Sequence, residues 1–503
     1  MTSTATETVD SGGQGSQLSV LRRMAVYGLS SVVPAVLTLA TSAIFTRIFS
    51  TTEFGTYSLF LVVAGQVKVV LNTWISQSVG KYLPPERTAQ GRHKMKDAIL
   101  VSGAMIFICE SVLGLVALSM SGLVMSSDDQ AYLVPVIAFV LVTSAFELLG
   151  TVLATEQRAT EYTRYKLIDS ALTFALRLLM VSAMWGLGLT SLFWSVVLSN
   201  SVLVPVLWVR AGLPSPARFL GLSRSGETRA LVRAFLVFGL PMTVWYFSGV
   251  LLDVGDRFVI RYFLGPAQVG IYDASYRLIA GVAVLMLAPV TMTLHPYLMS
   301  VAGSGDIDRV CEVIGSIVEH LILIGALAVG LTFLFREDAG NVLLGPEFRG
   351  GSMVMPIALA GMAFNNVGLF VHKPFEIIGR TLPMVVLGLV AAGANIAFNI
   401  VFVPWVGYLG AAYATLLSYV LYSVGVGVWG RRIFPWRINL GRVSSYLLVT
   451  VLGVVAIDCL REVLGDLPYW WNLAAGLVAS CLLAAWCLVG MFRGKPVTRA
   501  CAR

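Results

Sequence analysis

Cations embedded in apolar text are the residues of this chain best placed to do chemistry. Lys68 stands in the run Ala64-Gly-Gln-Val-Lys-Val-Val-Leu-Asn-Thr-Trp-Ile-Ser-Gln77, and Asn72, four residues later, shares its helical face. Arg177 is centred in 172–180 with Asp169 two turns earlier, and Arg277 follows Asp273 by four residues. A cation deep in hydrocarbon costs at least about 3 kcal/mol, so each needs a carboxylate or a wet cavity beside it. Two readings follow. One is an interhelical ion pair, with Glu110 or Glu147 as partners for Lys68; the other is an electropositive cavity that receives an anion. Arg233, near a span end, can carry its charge out to the interface.

Arg257 and Arg261 are likewise four apart, in Asp253-Val-Gly-Asp256-Arg-Phe-Val-Ile-Arg261. With Arg47 they form either a basic mouth on the outer side or a solvated turn fixed by Asp253 and Asp256. Glu147, Asp169, Asp273 and Glu319 are the acids placed to take up a proton or a cation. Glu319-His320 is a poor relay, because adjacent helical residues point about 100° apart. The four histidines at 93, 295, 320 and 372 are scattered, and the six cysteines lack metal-ligand spacing. No Gly-rich loop ends in Gly-Lys-Ser/Thr. The expectation is no metal, no structural disulfide, no cofactor and no ATP-driven step.

The elements that must position these groups are membrane helices. Of the 503 residues 57% are hydrophobic and only 12% charged, about half the charged fraction of a soluble chain. The apolar runs are long enough, at about 1.5 Å per residue, to cross a hydrocarbon layer of about 30 Å. They predict an all-α polytopic membrane protein with fourteen spans, at 25–46, 54–79, 98–121, 131–155, 167–185, 188–209, 231–252, 269–296, 310–335, 351–371, 381–402, 407–429, 444–460 and 468–491. Residues 1–20, poor in apolar side chains, read as a disordered tail. The run after Arg22 and Arg23 is too long for a signal peptide and reads as a retained span.

An even number of spans puts both termini on one side. With the tail inside, the inner segments hold 25 of the 35 Lys and Arg and the outer ones six, which predicts cytoplasmic termini. Because the net charge of +8 is spread over short connections, its expected neighbour is anionic lipid and not nucleic acid. Most aromatic clusters, such as Pro468-Tyr-Trp-Trp471, fall at span ends as interfacial belts. Trp74, Trp245 and Tyr246 lie deeper, where they either pack the core or stack on a sugar.

Two stretches repeat. Arg47-Ile-Phe-Ser-Thr-Thr-Glu-Phe-Gly55-Thr-Tyr57 follows the first span, and Arg261-Tyr-Phe-Leu-Gly-Pro-Ala-Gln-Val-Gly270-Ile-Tyr272 follows the seventh. Each is an Arg, an aromatic two residues on, then Gly-x-Tyr opening the next helix. The repeat predicts two six-helix lobes, 21–209 and 231–429, related by an axis along the membrane normal. A basic linker at 210–230 joins them, and 430–503 adds two helices and a basic tail.

These residues, with Leu344-Gly-Pro-Glu-Phe348, Asn395-Ile-Ala-Phe-Asn399 and Pro404-Trp-Val-Gly407-Tyr-Leu-Gly410-Ala-Ala-Tyr-Ala-Thr415, give the chain its likeness to known proteins. It resembles the bacterial polysaccharide-biosynthesis exporters, flippases of lipid-linked oligosaccharide in the group that also holds multidrug and peptidoglycan-precursor exporters. The resemblance implies two lobes in a V in the bacterial cytoplasmic membrane. It implies a substrate of undecaprenyl diphosphate carrying a sugar repeat unit, moved from the cytoplasmic to the external leaflet through a cationic cavity. A proton or cation gradient would drive the movement, and a polysaccharide polymerase and export machinery would be partners. Carried over by motif, the matching positions are Arg47 and the Arg257/Arg261 turn; Lys68, Asn72, Arg177 and Arg277 fit by span and chemistry.

The implied chemistry is physically consistent. A bare diphosphate cannot cross hydrocarbon, the planar fork of Arg suits phosphate, and no covalent bond need change. Three alternatives stay open: a multidrug exporter with an acidic, aromatic cavity; a membrane enzyme, which the small outer loop at 336–350 disfavours; and a non-transporting component of a synthase complex.

Overall fold

The computed structural model describes residues 32–84, 88–183, 188–303, 305–380, 382–464 and 469–493. The tail at 1–20, Arg22, Arg23, the start of the first span and the side chain of Asp253 lie outside the described residues. Every regular element described is helical. Eleven helical stretches are long and apolar enough to cross a membrane. They coincide with all of the expected spans except the first, fifth and last. The first is described from Val32 to Phe45, and the last, within a helix Tyr469–Arg493, has a shorter apolar portion, Leu473–Leu483. The fifth is a full 25-residue helix, Ala159–Ala183, whose polar residues lower its hydropathy.

The helices used below are α1 (Val32–Phe45), α2 (Thr51–Tyr82), α3 (Ala89–Val124), α4 (Leu133–Thr155), α5 (Ala159–Ala183), α6 (Thr190–Ala211), α7 (Gly226–Val254) and α8 (Asp256–Leu264). They continue as α9 (Pro266–Gly303), α10 (Ile307–Leu334), α11 (Val354–Val371), α12 (Leu382–Val406), α13 (Tyr408–Gly430), α14 (Leu440–Val463) and α15 (Tyr469–Arg493). By contacts the chain divides into two units. One comprises Met1–Leu37 and Leu71–Leu240, the other Thr38–Val70 and Pro241–Arg503. The division differs from the lobes read off the sequence, because the turn after α1 and the first half of α2 belong to the second unit.

In the first unit α2, α3, α4, α6 and α7 share a core that includes Ile75, Ile99, Leu149, Leu153, Leu207 and Phe235. Thr88 caps α3 by accepting from the Gly91 N–H at 3.1 Å. A Cβ at Gly239 would lie 2.2 Å from the Trp74 carbonyl oxygen, so α2 and α7 meet backbone to backbone. Ser78 Oγ donates to the Phe235 carbonyl beside that contact, at 2.8 Å.

In the second unit α10 to α13 surround a core with Ile314, Phe370, Phe375 and Val426. Glu319 accepts from the Asn439 N–H at 2.5 Å and from Arg442 Nη1 at 3.3 Å, and so fastens the start of α14 to α10. His320 Nδ1 instead meets the Ser316 carbonyl, so Glu319 and His320 do turn to different partners. At the other end of α14, Arg461 Nη2 donates to Asp338 at 2.8 Å.

The two repeated stretches meet each other in this second unit. A Cβ on Gly55 would lie 1.9 Å from the Pro266 carbonyl oxygen, and one on Gly270 would lie 2.0 Å from that of Thr51. The Gly-x-Tyr turns of α2 and α9 therefore cross reciprocally, each glycine making room for the other helix. Gly345 approaches just as closely: its Cβ would stand 1.8 Å from the Thr46 carbonyl, and its N–H donates to Thr46 Oγ1 at 3.0 Å. These contacts hold 38–70 in the second unit.

Candidate functional site

The second unit contains a cavity of about 620 Å³ between α7, α9, α11, α12 and α13. Trp245, Tyr246, Tyr419 and Tyr422 give it aromatic walls, and Asn365 and Asn366 supply amides. None of the described lining residues is charged. Trp245 and Tyr246 meet edge to face at 4.9 Å. Sequence reasoning singled out these two; it missed the tyrosines and the asparagines.

Behind Tyr422 lies a buried polar chain. His372 Nε2 meets Glu376 Oε1 at 2.9 Å, and Lys373 Nζ donates to Glu376 Oε2 at 2.7 Å. Facing a carboxylate, Nε2 must carry the proton, so Nδ1 accepts from the Tyr422 hydroxyl at 3.0 Å. The order hydroxyl, imidazole, carboxylate, ammonium gives the Tyr422 hydroxyl and the imidazole N–H an acceptor each and brings an ammonium to the second carboxylate oxygen. Sequence pattern alone gives neither Lys373 nor His372 a place in a site. Both are buried, in a helical turn that prolongs α11. The four-residue spacing of His372 and Glu376 was legible in the sequence, whereas Tyr422, fifty residues on, was not.

A second polar cluster holds Arg257. Its Nη1 donates to Asp256 Oδ1 at 2.8 Å, and its Nε and Nη2 both reach Asp273 Oδ1 at 3.0 Å. Asp273 Oδ2 accepts from Arg277, while Asp256 Oδ2 accepts from Tyr272 and, at 3.4 Å, from Thr415. The guanidinium also lies 4.3 Å from the centre of the Tyr276 ring. Asp256 and Asp273 are fully buried and Arg257 is 2% exposed. Arg257 does not lie on a basic mouth; it does pair with Asp256, as the turn reading expected, but the pair is buried and not solvated. Two acids and two arginines form a neutral buried tetrad, because only mutual compensation keeps such charges out of water. Arg277, with a quarter of its side chain accessible, is the tetrad's open edge. Arg47 is exposed and donates to the carbonyls of Ala43 and, at 2.6 Å, Val342. Arg261 is partly buried near the end of α8.

In the first unit Asn72 Nδ2 donates to Glu110 Oε1 at 3.0 Å and to Ser144 Oγ at 2.9 Å, and Ser144 donates to the same carboxylate oxygen at 2.6 Å. Lys68, partly buried, lies one turn before Asn72 on α2, on the part that belongs to the second unit. Asp169 accepts from Ser199 Oγ at 2.9 Å and Thr173 Oγ1 at 3.4 Å. Lys166 and Arg177 are cations that act on it. Arg177 is partly buried, and its Nε is shielded from solvent without a hydrogen-bond acceptor among the described residues. Glu147 is exposed on α4, close enough to Tyr162 to act on its hydroxyl. The candidate cations and acids are thus spread over several places instead of meeting at one.

Residues 20–301 match the family described as polysaccharide biosynthesis protein, more than half of the chain, and the protein belongs to that family. It is 22% identical over 170 residues to a probable low-salt glycan biosynthesis flippase of Haloferax volcanii, a match covering 34% of this chain and 36% of that one. The match thus spans about a third of that relative's length. Among solved structures the fold is similar to that of the lipid II flippase MurJ in an inward closed conformation, with a TM-score of 0.70 at 12% identity. That likeness covers 93% of this chain and 99% of the other. An inward-facing multidrug resistance transporter of the MATE family gives a TM-score of 0.59 at 14% identity, covering 84% and 95%. The all-helical polytopic membrane fold expected from the sequence is the fold observed among the described residues.

Proposed function

We propose that the protein flips a polyprenyl-diphosphate-linked oligosaccharide from the cytoplasmic to the outer leaflet of a bacterial inner membrane by alternating access, for surface polysaccharide assembly. The observation that carries this reading is the cavity of the second unit. Aromatic faces suit the C–H faces of sugar rings, and amide groups suit their hydroxyls. An exporter of cationic drugs would be expected to present carboxylates there, and none of the described lining residues is one. Arg177, with a shielded nitrogen still to be satisfied, is the cation best suited to the diphosphate, followed by Lys68 and the open edge of Arg277. The polyprenyl tail stays in lipid while the headgroup crosses, and no bond is made or broken.

For the driving gradient, Asp169 is the acid best suited to proton or cation exchange, since Asp273 is already matched by two arginines. A polymerase acting on the flipped unit is the expected partner.

The test is flipping of a fluorescent lipid-linked oligosaccharide by the purified protein in liposomes. Trp245→Ala combined with Tyr419→Ala, and separately Arg177→Gln, should each slow flipping by about tenfold or more, equivalent to about 1.4 kcal/mol of lost interaction. Normal flipping by both variants, or transport of cationic dyes in place of the glycolipid, overturns the reading. Orientation is checked separately: a thiol reagent confined to the outside should label Asp129→Cys and spare Thr88→Cys.

A further inference from the structure

The five helices around the cavity of the second unit are poor in charge wherever they reach it. Residues 354–371, 382–406 and 408–430, the whole of α11, α12 and α13, hold no Asp, Glu, Lys, Arg or His. The stretches of α7 and α9 that supply lining residues, 234–252 and 278–294, hold none either. Arg233, Asp253, Arg277 and His295 bound those two stretches, and none of them is among the described lining residues. Arg277 is paired with Asp273.

Behind Tyr422 the ionic groups are matched to one another. Glu376 accepts from the His372 imidazole at 2.9 Å and from Lys373 at 2.7 Å. His372 and Lys373 are buried and do not line the cavity. The Tyr422 hydroxyl donates to His372 Nδ1 at 3.0 Å, so toward the cavity its oxygen offers lone pairs. A carboxylate brought into this space would lose water, meet no cation among the described lining residues, and face that oxygen. Burying an uncompensated charge is among the costliest events in a protein interior. An ammonium is no better placed, because the Glu376 carboxylate is already held by two donors. A sugar hydroxyl finds what it needs: it can donate to the Tyr422 oxygen, and the Asn365 amide can donate or accept.

We infer that this cavity admits the uncharged sugars of the lipid-linked glycan and rejects acidic ones, with Tyr422 as the fixed acceptor that selects hydroxyl over carboxylate. The inference rests on the flipping reading above and adds the class of sugar to it. It departs from the cationic cavity that the sequence resemblance implies. Arg177, Lys68 and Arg277, proposed for the diphosphate, are not among the described lining residues, so sugar and diphosphate are recognised by different groups. At about 620 Å³ the cavity has the size of an ordinary small-ligand site, enough for a short run of sugar rings.

The test compares fluorescent polyprenyl-diphosphate disaccharides in the liposome assay, ending in glucose, in glucuronic acid or in the corresponding aminoglucose. They differ only in the exocyclic group of the last ring: a hydroxymethyl, a carboxylate or an aminomethyl cation. The wild-type protein should flip the glucose form about tenfold faster than either charged form. Asn365→Arg and Leu369→Lys each set a cation in the cavity and should narrow the glucose-to-glucuronate ratio by about tenfold. Tyr422→Phe should narrow it too, by slowing the glucose form. Equal flipping of the glucose and glucuronate forms by the wild-type protein overturns the inference and leaves the flippase reading standing. A ratio unchanged in both cation variants does the same, and a wild-type ratio in Tyr422→Phe overturns the role given to that residue. Equal flipping of the aminoglucose form would mean that the aromatic walls accept a cation, which also overturns it. If none of the lipids crosses, the flippase reading fails and the sugar preference falls with it.

Discussion

Arg257→Met should lower the stability of the purified protein by about 3–5 kcal/mol, the cost of leaving a buried ion pair without one partner. The substitution keeps an unbranched, flexible side chain but strands Asp256 and Asp273, both fully buried, with a net negative charge that Arg277 alone cannot offset. Adding Asp256→Asn to Arg257→Met should recover much of the loss, because a neutral buried cluster escapes the uncompensated charge. Arg277→Gln should cost less, since its side chain already reaches accessible space. Thermal unfolding in detergent measures all three. If Arg257→Met unfolds at the wild-type temperature, the tetrad is not a stabilising element. Arg257 would then be available for the ligand role that the sequence resemblance implies.

The second large effect is at the crossing of the repeated turns. Gly55→Ala and Gly270→Ala each place a Cβ at about 2 Å from a carbonyl oxygen of the opposing chain segment. No rotamer relieves a clash between a Cβ and backbone, so the two helices must separate. The cost should lie at or above the upper end of the roughly 1–3 kcal/mol typical of overpacking. Gly65, on the same helix as Gly55, is the control: its Cβ would meet nothing within 4 Å. Gly65→Ala should therefore be neutral or gain up to about 1 kcal/mol from helix propensity. A similar unfolding temperature for Gly55→Ala and Gly65→Ala would show that the crossing does not hold the unit together.

These two expectations separate what was readable in the chain from what was not. Hydropathy is a local property, so the membrane helices and the basic connections could be read residue by residue. The repeat was legible too, but not its consequence, that Gly55 and Gly270 pack on each other and draw the start of α2 into the second unit. The fifth span, expected at 167–185 despite Arg177, is helical from Ala159 to Ala183, starting eight residues earlier than the hydropathy indicated.

The fates of the ionisable groups belong to the tertiary structure. Sequence showed that Arg257, Arg277 and Asp273 needed compensation but could not tell an open mouth from a sealed tetrad. It could not bring Thr415 to Asp256 across 159 positions, or Tyr422 to His372 across fifty. Nor could it collect Tyr419 and Asn365 with Trp245 around one cavity. The physical reason is that the cost of burying a charge or a hydroxyl depends on which distant partner packing delivers, whereas the gain from placing an apolar run in lipid depends only on the run.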